Sequence, residues 1–305
     1  MIRPCEVGAA VAASRMETVE KRIGEPSRER LDGAESALAE PRQSVVVAGR
    51  YTGGVNADHD RLPPTRWESW NPVTGCTKVS EGCRHCYAER FAERWRGIPG
   101  HHYEHGFDLQ LRPERLEVPL HWKRPRRVFV DSMGDLFHES IPDDYVREVF
   151  DVMKGAPQHV FHVLTKRADR MLALAPSLPW PPNVWMGVTV ESGRHAARAN
   201  ALRRVPAAIR HVSAEPLLGP LDALDLTHID LVIAGGESGP GRRPPQPDWL
   251  RGLRDRCVAA SVAFAFKGWG GSSQSEGGRL LDGREWRQSP PLPFAHGGPI
   301  QQPLF

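Results

Sequence analysis

Residues 160–215 hold three short apolar runs. They are Val160-Phe-His-Val-Leu-Thr165, Val184-Trp-Met-Gly-Val-Thr-Val-Glu191 and Ile209-Arg-His-Val-Ser-Ala-Glu215. The first leads into Lys166-Arg167 and a helical pattern, the second into a polar helical stretch from His195 to Arg204, and the third into Pro216. The same unit recurs on both sides. Arg127-Val-Phe-Val-Asp131 leads into Ser-Met-Gly-Asp, Leu231-Val-Ile-Ala234 into Gly235-Gly-Glu-Ser-Gly-Pro, and Val262-Ala-Phe-Ala-Phe266 into Lys267-Gly-Trp-Gly-Gly. Strands alternating with helical segments imply βαβ units and a parallel sheet. Near-continuous apolar strands suit a sheet whose outer face is covered by helices. Six such strands, with one more expected near a cysteine cluster, predict an α/β fold: a parallel (β/α) barrel, partial or complete. The doubly wound sheet is the alternative. In both architectures function sits at the carboxyl ends of the strands, where every polar motif quoted above lies.

The composition narrows the class. The chain has 305 residues, of which 40% are hydrophobic and 25% charged, enough for a sizeable core. Mean hydropathy is −0.45, and no run approaches the roughly 18 apolar residues that span a bilayer, so no membrane partner is expected. Formal charge is +3, far short of a nucleic-acid-coating protein. Residues 1–64 lack a persistent apolar period and are expected to form a largely disordered extension. Glu6 and the lack of a leucine-rich core argue against a signal peptide there, so the expected location is cytoplasmic. The domain is placed at 65–290, with a C-terminal tail at 291–305.

Three of the five cysteines fall in Trp70-Asn-Pro-Val-Thr-Gly-Cys76-Thr-Lys-Val-Ser-Glu-Gly-Cys83-Arg-His-Cys86. Clustered cysteines in a chain without an export signal point to metal or redox chemistry in a reducing compartment. Glycines before Cys76 and Cys83 permit the turns that bring thiolates around one centre. A structural zinc site closes with four ligands; three thiolates without an obvious fourth suit a [4Fe–4S] cluster with one open iron. His85, His101, His102 and His105 are the candidate fourth ligands for zinc. Cys257 shares an apolar stripe with Leu250 and Leu253 and reads as a buried core thiol. The run Lys123, Arg124, Arg126, Arg127 reads as solvated surface.

The cysteine loop, the Tyr-Ala-Glu helix after it, and the segments Leu164-Thr-Lys-Arg167, Gly187-Val-Thr-Val-Glu191, Ser213-Ala-Glu-Pro-Leu-Leu-Gly-Pro220 and Gly235-Gly-Glu-Ser-Gly-Pro240 form a specific set. Together they resemble the phage-associated three-cysteine-motif proteins, an uncharacterised family related to radical S-adenosylmethionine (SAM) enzymes. The resemblance covers residues 65–286. It implies a (β/α)6-type barrel with a [4Fe–4S] cluster on Cys76, Cys83 and Cys86, SAM as cosubstrate, and an electron donor of the ferredoxin or flavodoxin type. The spacing departs from the usual pattern: most radical-SAM proteins use Cys-x3-Cys-x2-Cys, whereas the first interval here is six residues.

The same resemblance directs attention to the strand ends. The turn after the second strand supplies the acceptor for SAM's ammonium group, which makes Ser132, Met133 and Asp135 candidates; helix or turn capping is the plainer role for Asp135. Lys166 suits the SAM carboxylate or a substrate phosphate. Thr189 and Glu191 suit a ribose hydroxyl, with Ser213 and Glu215 at the next strand end. Gly235, Gly236 and Glu237 form a turn that lets a ligand approach the backbone. Six of these residues, Asp135, Lys166, Glu191, Ser213, Glu215 and Glu237, are expected to face one cavity with the cysteines. A nucleic-acid substrate is a weaker expectation resting on Arg126, Arg127, Arg242, Arg243 and nearby tryptophans. The rival of another class is a non-catalytic zinc- or cluster-binding module that binds nucleic acid or serves a phage accessory role.

Overall fold

The apolar runs fold as parallel strands of one sheet. The computed structural model describes residues 67–272 and 276–290; the expected extension and tail lie outside them. The seven strands are β1 (Trp67–Trp70), β2 (Arg127–Val130), β3 (Val160–Thr165), β4 (Val184–Thr189), β5 (Ile209–Ala214), β6 (Leu231–Gly235) and β7 (Ala263–Gly268). Every neighbouring pair is parallel, and spatial order follows chain order from β1 to β7. A doubly wound sheet reverses its strand order at a switch point; this sheet has none. Because β1 and β7 do not pair, the barrel is partial.

Five helices accompany the sheet: α1 (Tyr87–Glu93), α2 (Asp143–Gly155), α3 (Ala168–Leu174), α4 (Ala197–Arg203) and α5 (Pro247–Ala259). α2 follows Pro142, and Asp143 and Asp144 in its first turn favour its positive end. Tyr145, Val146, Val149, Phe150 and Met153 recur at helical spacing and are buried. α5 starts with Pro247 at its first position. It buries Leu250, Leu253 and Cys257, as the stripe in the sequence predicts.

Alternate strand residues serve two faces. On the helix-covered face Phe161 and Val163, Met186 and Val188, Val212 and Ala214, Val232 and Ala234, and Phe264 and Phe266 join the main core. On the inner face Val160, Trp185, Leu231 and Ala265 form a smaller cluster. Trp67 on β1 meets His162 on β3, with ring centroids 4.8 Å apart, although β2 lies between them. The sheet is therefore strongly curled. Arg127, read as surface, is instead 1% exposed and lies over the Trp67 ring. Burial lowers its pKa to about 10. Its place in β2 decides this: the strand alternation turns the side chain inward.

Candidate functional site

The cysteine loop crosses the carboxyl ends of the strands because hydrogen bonds tie it down along its length. Val73–Thr74 pairs with Gln110–Leu111, and Gly75 N–H donates to the Met133 carbonyl at 2.8 Å. Arg167, just past β3, donates from Nη1 to Cys76 Sγ at 3.3 Å and from Nη2 to Thr77 Oγ1 at 2.8 Å. Ser80 donates to Glu191. Glu81 accepts from Ser192 Oγ at 2.9 Å and pairs with His195 Nε2 at 2.7 Å. Those contacts, led by His195, hold Glu81 down to about 2. His85 Nδ1 lies 3.0 Å from Glu237 Oε2, and Arg243 Nη2 donates to the Glu81 carbonyl. The loop is thus stitched to the ends of β3, β4 and β6.

Beneath it lies a cavity of about 700 Å³ lined by Cys76, Cys83 and Cys86. Of the expected site residues, Ser132, Asp135, Lys166, Thr189, Ser213, Glu215, Gly236 and Glu237 line the same cavity. Register explains part of this convergence: Thr189 and Ser213 are direct neighbours across β4 and β5. Several of the charged groups already have partners. Asp135 accepts from Thr165 Oγ1 at 2.7 Å, Phe137 N–H at 3.1 Å, Lys166 N–H at 3.3 Å and Arg167 Nη1 at 3.1 Å. Glu215 takes Lys267 Nζ at 2.8 Å. Burial opposes ionisation of Glu237, yet hydrogen bonds from Arg243 and His85 hold it down to about 2. Lys166 differs: its ammonium reaches the Thr189 hydroxyl at 3.4 Å and no carboxylate among the described residues. That leaves its ammonium open to an anionic ligand.

Three expected residues do not line the cavity. Glu191 is fully buried beneath the cysteine loop, where it accepts from Ser80 and from Arg198 Nη1 at 2.7 Å. A side chain at Gly82 would come within 2.4 Å of its Oε1, so glycine at 82 is what lets the loop rest on this carboxylate. Met133 turns away to pack on Ala88 and Ala92. Gly235 lies behind the pair of Glu215 and Lys267; a side chain there would sit 3.4 Å from each. Of the arginines expected to form a basic surface, Arg126 pairs with Glu68 at 2.7 Å, Arg127 is buried, Arg243 pairs with Glu237, and Arg242 is exposed.

Two residues matter more than the sequence suggested. Arg167 is the contact to Cys76, and Asp135 and Glu139 hold its guanidinium. Asp131, the first residue after β2, has φ of 52°, a conformation few non-glycine residues adopt. Its Oδ1 accepts from Val73 N–H at 2.9 Å, while its buried Oδ2 has no partner among the described residues. Burial, with Asp135 nearby, raises its pKa well above the carboxylate range. Asp131 lines the cavity. The Cys76 thiol shifts the same way: burial, reinforced by Asp135, pushes it up to about 11 against the opposing pull of Arg167.

The donors that line the cavity are three half-buried thiols and the imidazole of His85. His85 is engaged by Glu237, His101 stacks on Trp95 and His102 packs edge-on against Tyr103. Among the described residues no three His, Cys, Asp or Glu side chains converge closely enough to hold a single ion.

A partial parallel barrel with a three-cysteine loop over its strand ends defines an α/β protein with a cysteine-lined cavity at those ends. The chain belongs to the family described as Protein of unknown function (DUF5131), which matches residues 65–290. That description names neither phage nor SAM chemistry. No curated protein and no solved structure matches the chain. No helix among the described residues is long and apolar enough to cross a membrane.

Proposed function

We propose that the protein is an iron–sulfur enzyme of the radical-SAM type, with Cys76, Cys83 and Cys86 as the cluster ligands. One observation carries the reading: three thiols from a single loop line the cavity in which the polar strand ends of a parallel sheet also meet. The donor chemistry supports a cluster over an isolated zinc ion. Zinc draws four ligands to within about 2.0–2.3 Å of one point, and among the described residues no three such donors converge that way. A cluster spreads its thiolates over several irons and tolerates three of them. When bound, the cluster and SAM supply the electron-transfer and radical chemistry, which is the cofactor's own.

The chain's residues supply the rest. Lys166 holds an anionic group of the ligand, with Thr189 and Ser213 offering hydroxyls beside it. Asp131 presents at the cavity wall a buried carboxyl whose Oδ2 has no partner among the described residues. Arg167 fixes the cysteine loop at Cys76 and Thr77, and Glu191 fixes it at Ser80. The loop itself covers the strand ends and limits water. Loading the cluster requires the thiols to lose their protons, so assembly should favour mildly alkaline pH.

Metal and sulfide analysis of protein purified without oxygen tests the reading. Iron and sulfide near four per chain are expected, with release of 5′-deoxyadenosine once SAM and reductant are added. Cys83→Ala should abolish cluster assembly. Stoichiometric zinc without sulfide would replace this reading by the non-catalytic module.

A further inference from the structure

A second groove, of about 410 Å³, opens beside the cysteine cavity. Its walls are Tyr87, Arg90, Phe91 and Arg94 on one side and Gly239 and Pro240 on the other. The two recesses share Tyr87, Arg90, Gly239 and Ser272 in their walls, so they adjoin. Tyr87, Arg90 and Phe91 of α1 and Arg94, its C-cap, follow i, i+3, i+4, i+7 spacing along one face. The core does not use that face: α1 buries Ala88 and Ala92, whereas Tyr87 is 56% and Phe91 43% exposed.

The rings are nonetheless held in place. The Tyr87 hydroxyl donates to the Ser132 carbonyl. Phe91 meets Tyr103 edge-on at 5.6 Å between centroids. Exposed aromatic faces that are already positioned lose little entropy when a planar ligand stacks on them. The charge is one-sided. Arg90 Nη2 donates to the Ser238 carbonyl at 3.1 Å, and its Nε has no partner among the described residues. A side chain at Gly239, where φ is +101°, would collide with this guanidinium at 2.2 Å, so glycine there lets Arg90 lie across the groove wall. Arg94 is exposed and has no ion-pair partner among the described residues. Arg242, exposed on the loop that carries Gly239, adds a third cation nearby. The acidic residues of α1 are used elsewhere: Glu89 pairs with Lys78 and Glu93 with Arg96. No carboxylate is among the residues lining the groove.

Fixed rings interleaved with guanidiniums, and no acid, match a flexible polyanion that carries flat, stackable groups. We infer that this groove binds a single-stranded nucleic-acid segment, with a base stacked on Tyr87 or Phe91 and flanking phosphates on Arg90 and Arg94. Delivery of the neighbouring nucleotide into the cysteine cavity rests on the function proposed above; strand binding does not. An acidic peptide would satisfy the cations but not the exposed rings.

The test is fluorescence anisotropy of the full chain with a labelled twelve-nucleotide oligothymidylate. Unlabelled single-stranded RNA, duplex DNA and poly-glutamate serve as competitors. The labelled strand should bind, more weakly at higher salt, and single strands should compete better than duplex or poly-glutamate. Phe91→Ala should weaken binding about tenfold, the scale of one stacked base. Arg94→Glu should weaken it at least as much and flatten the salt dependence. Circular dichroism and melting temperature confirm that both variants fold, and iron content reads the cluster separately. Loss of strand binding with unchanged iron supports the groove assignment whatever the cluster does. No binding of any strand, unchanged affinity in both variants, or equal competition by poly-glutamate would overturn it.

Discussion

Arg167 is 6% exposed and places its donors on Cys76, Thr77, Asp135 and Glu139. A planar guanidinium can serve these partners at once; an ammonium at the same site cannot reach them all. Arg167→Lys should therefore keep the charge but loosen the loop, lowering iron per chain several-fold while the protein still folds. Arg167→Met leaves Asp135 without its buried cation and should cost about 3 kcal/mol or more of stability, read as a lower denaturant midpoint. Glu191 makes a different case. As a carboxylate just beyond a strand it looked like a ligand group, but strand alternation ends at Thr189 and the chain folds Glu191 under Gly82. Its substitution should act through the loop. Glu191→Gln is expected to reduce cluster retention and leave oligonucleotide affinity unchanged; full iron content in that variant would remove the bracing role. Residue identity was thus readable at the strand ends, whereas side-chain direction was not, because it depends on packing against a loop more than 100 positions away in sequence.

At the scale of elements the sequence was most informative. Six apolar runs marked β2 to β7, since parallel strands buried on both faces have little polar patterning to obscure them. Curling of the sheet was not readable, for it depends on contacts between strands that are not neighbours. Its cost shows in His162 and His211, which sit among apolar residues on the inner face. His162 Nε2, His211 Nδ1 and Trp185 Nε1 have no hydrogen-bond partner among the described residues. Burial pushes His211 down to about 4, and burial with help from His211 and Arg127 pushes His162 well below its usual value. Both shifts disfavour the charged ring in the fold. The unfolded chain takes up their protons near pH 6.5, while the folded chain resists until about pH 4 for His211. Stability is therefore fully present above about pH 6.5 and falls as pH drops through that window. The slope is about 1.4 kcal/mol per pH unit for each histidine. Urea midpoints between pH 7 and pH 5 should decline accordingly, and His211→Asn should reduce the slope. A flat profile over that range would mean these rings are hydrated or paired.

For the whole molecule, the question is which residues are needed to build the cavity. The seven strands, five helices, cysteine loop and α1 groove all come from residues 67–290. The family match spans nearly the same stretch, 65–290. The main core closes within it as well, from Trp70 on β1 to Leu281. A chain that begins at residue 65 therefore contains every contact described for the site and should fold without the preceding residues. Its melting temperature should lie within about 4 °C of the full chain, a difference of roughly 1–2 kcal/mol for a domain of this size. Its iron content after anaerobic loading should be unchanged. A larger drop in melting temperature with intact iron would show that residues 1–64 brace the sheet, while loss of iron at constant melting temperature would show that they cover the cysteine loop. Oligonucleotide affinity adds an independent reading, because the groove on α1 lies beside the loop: if residues 1–64 occupy it in the full chain, their removal should tighten strand binding.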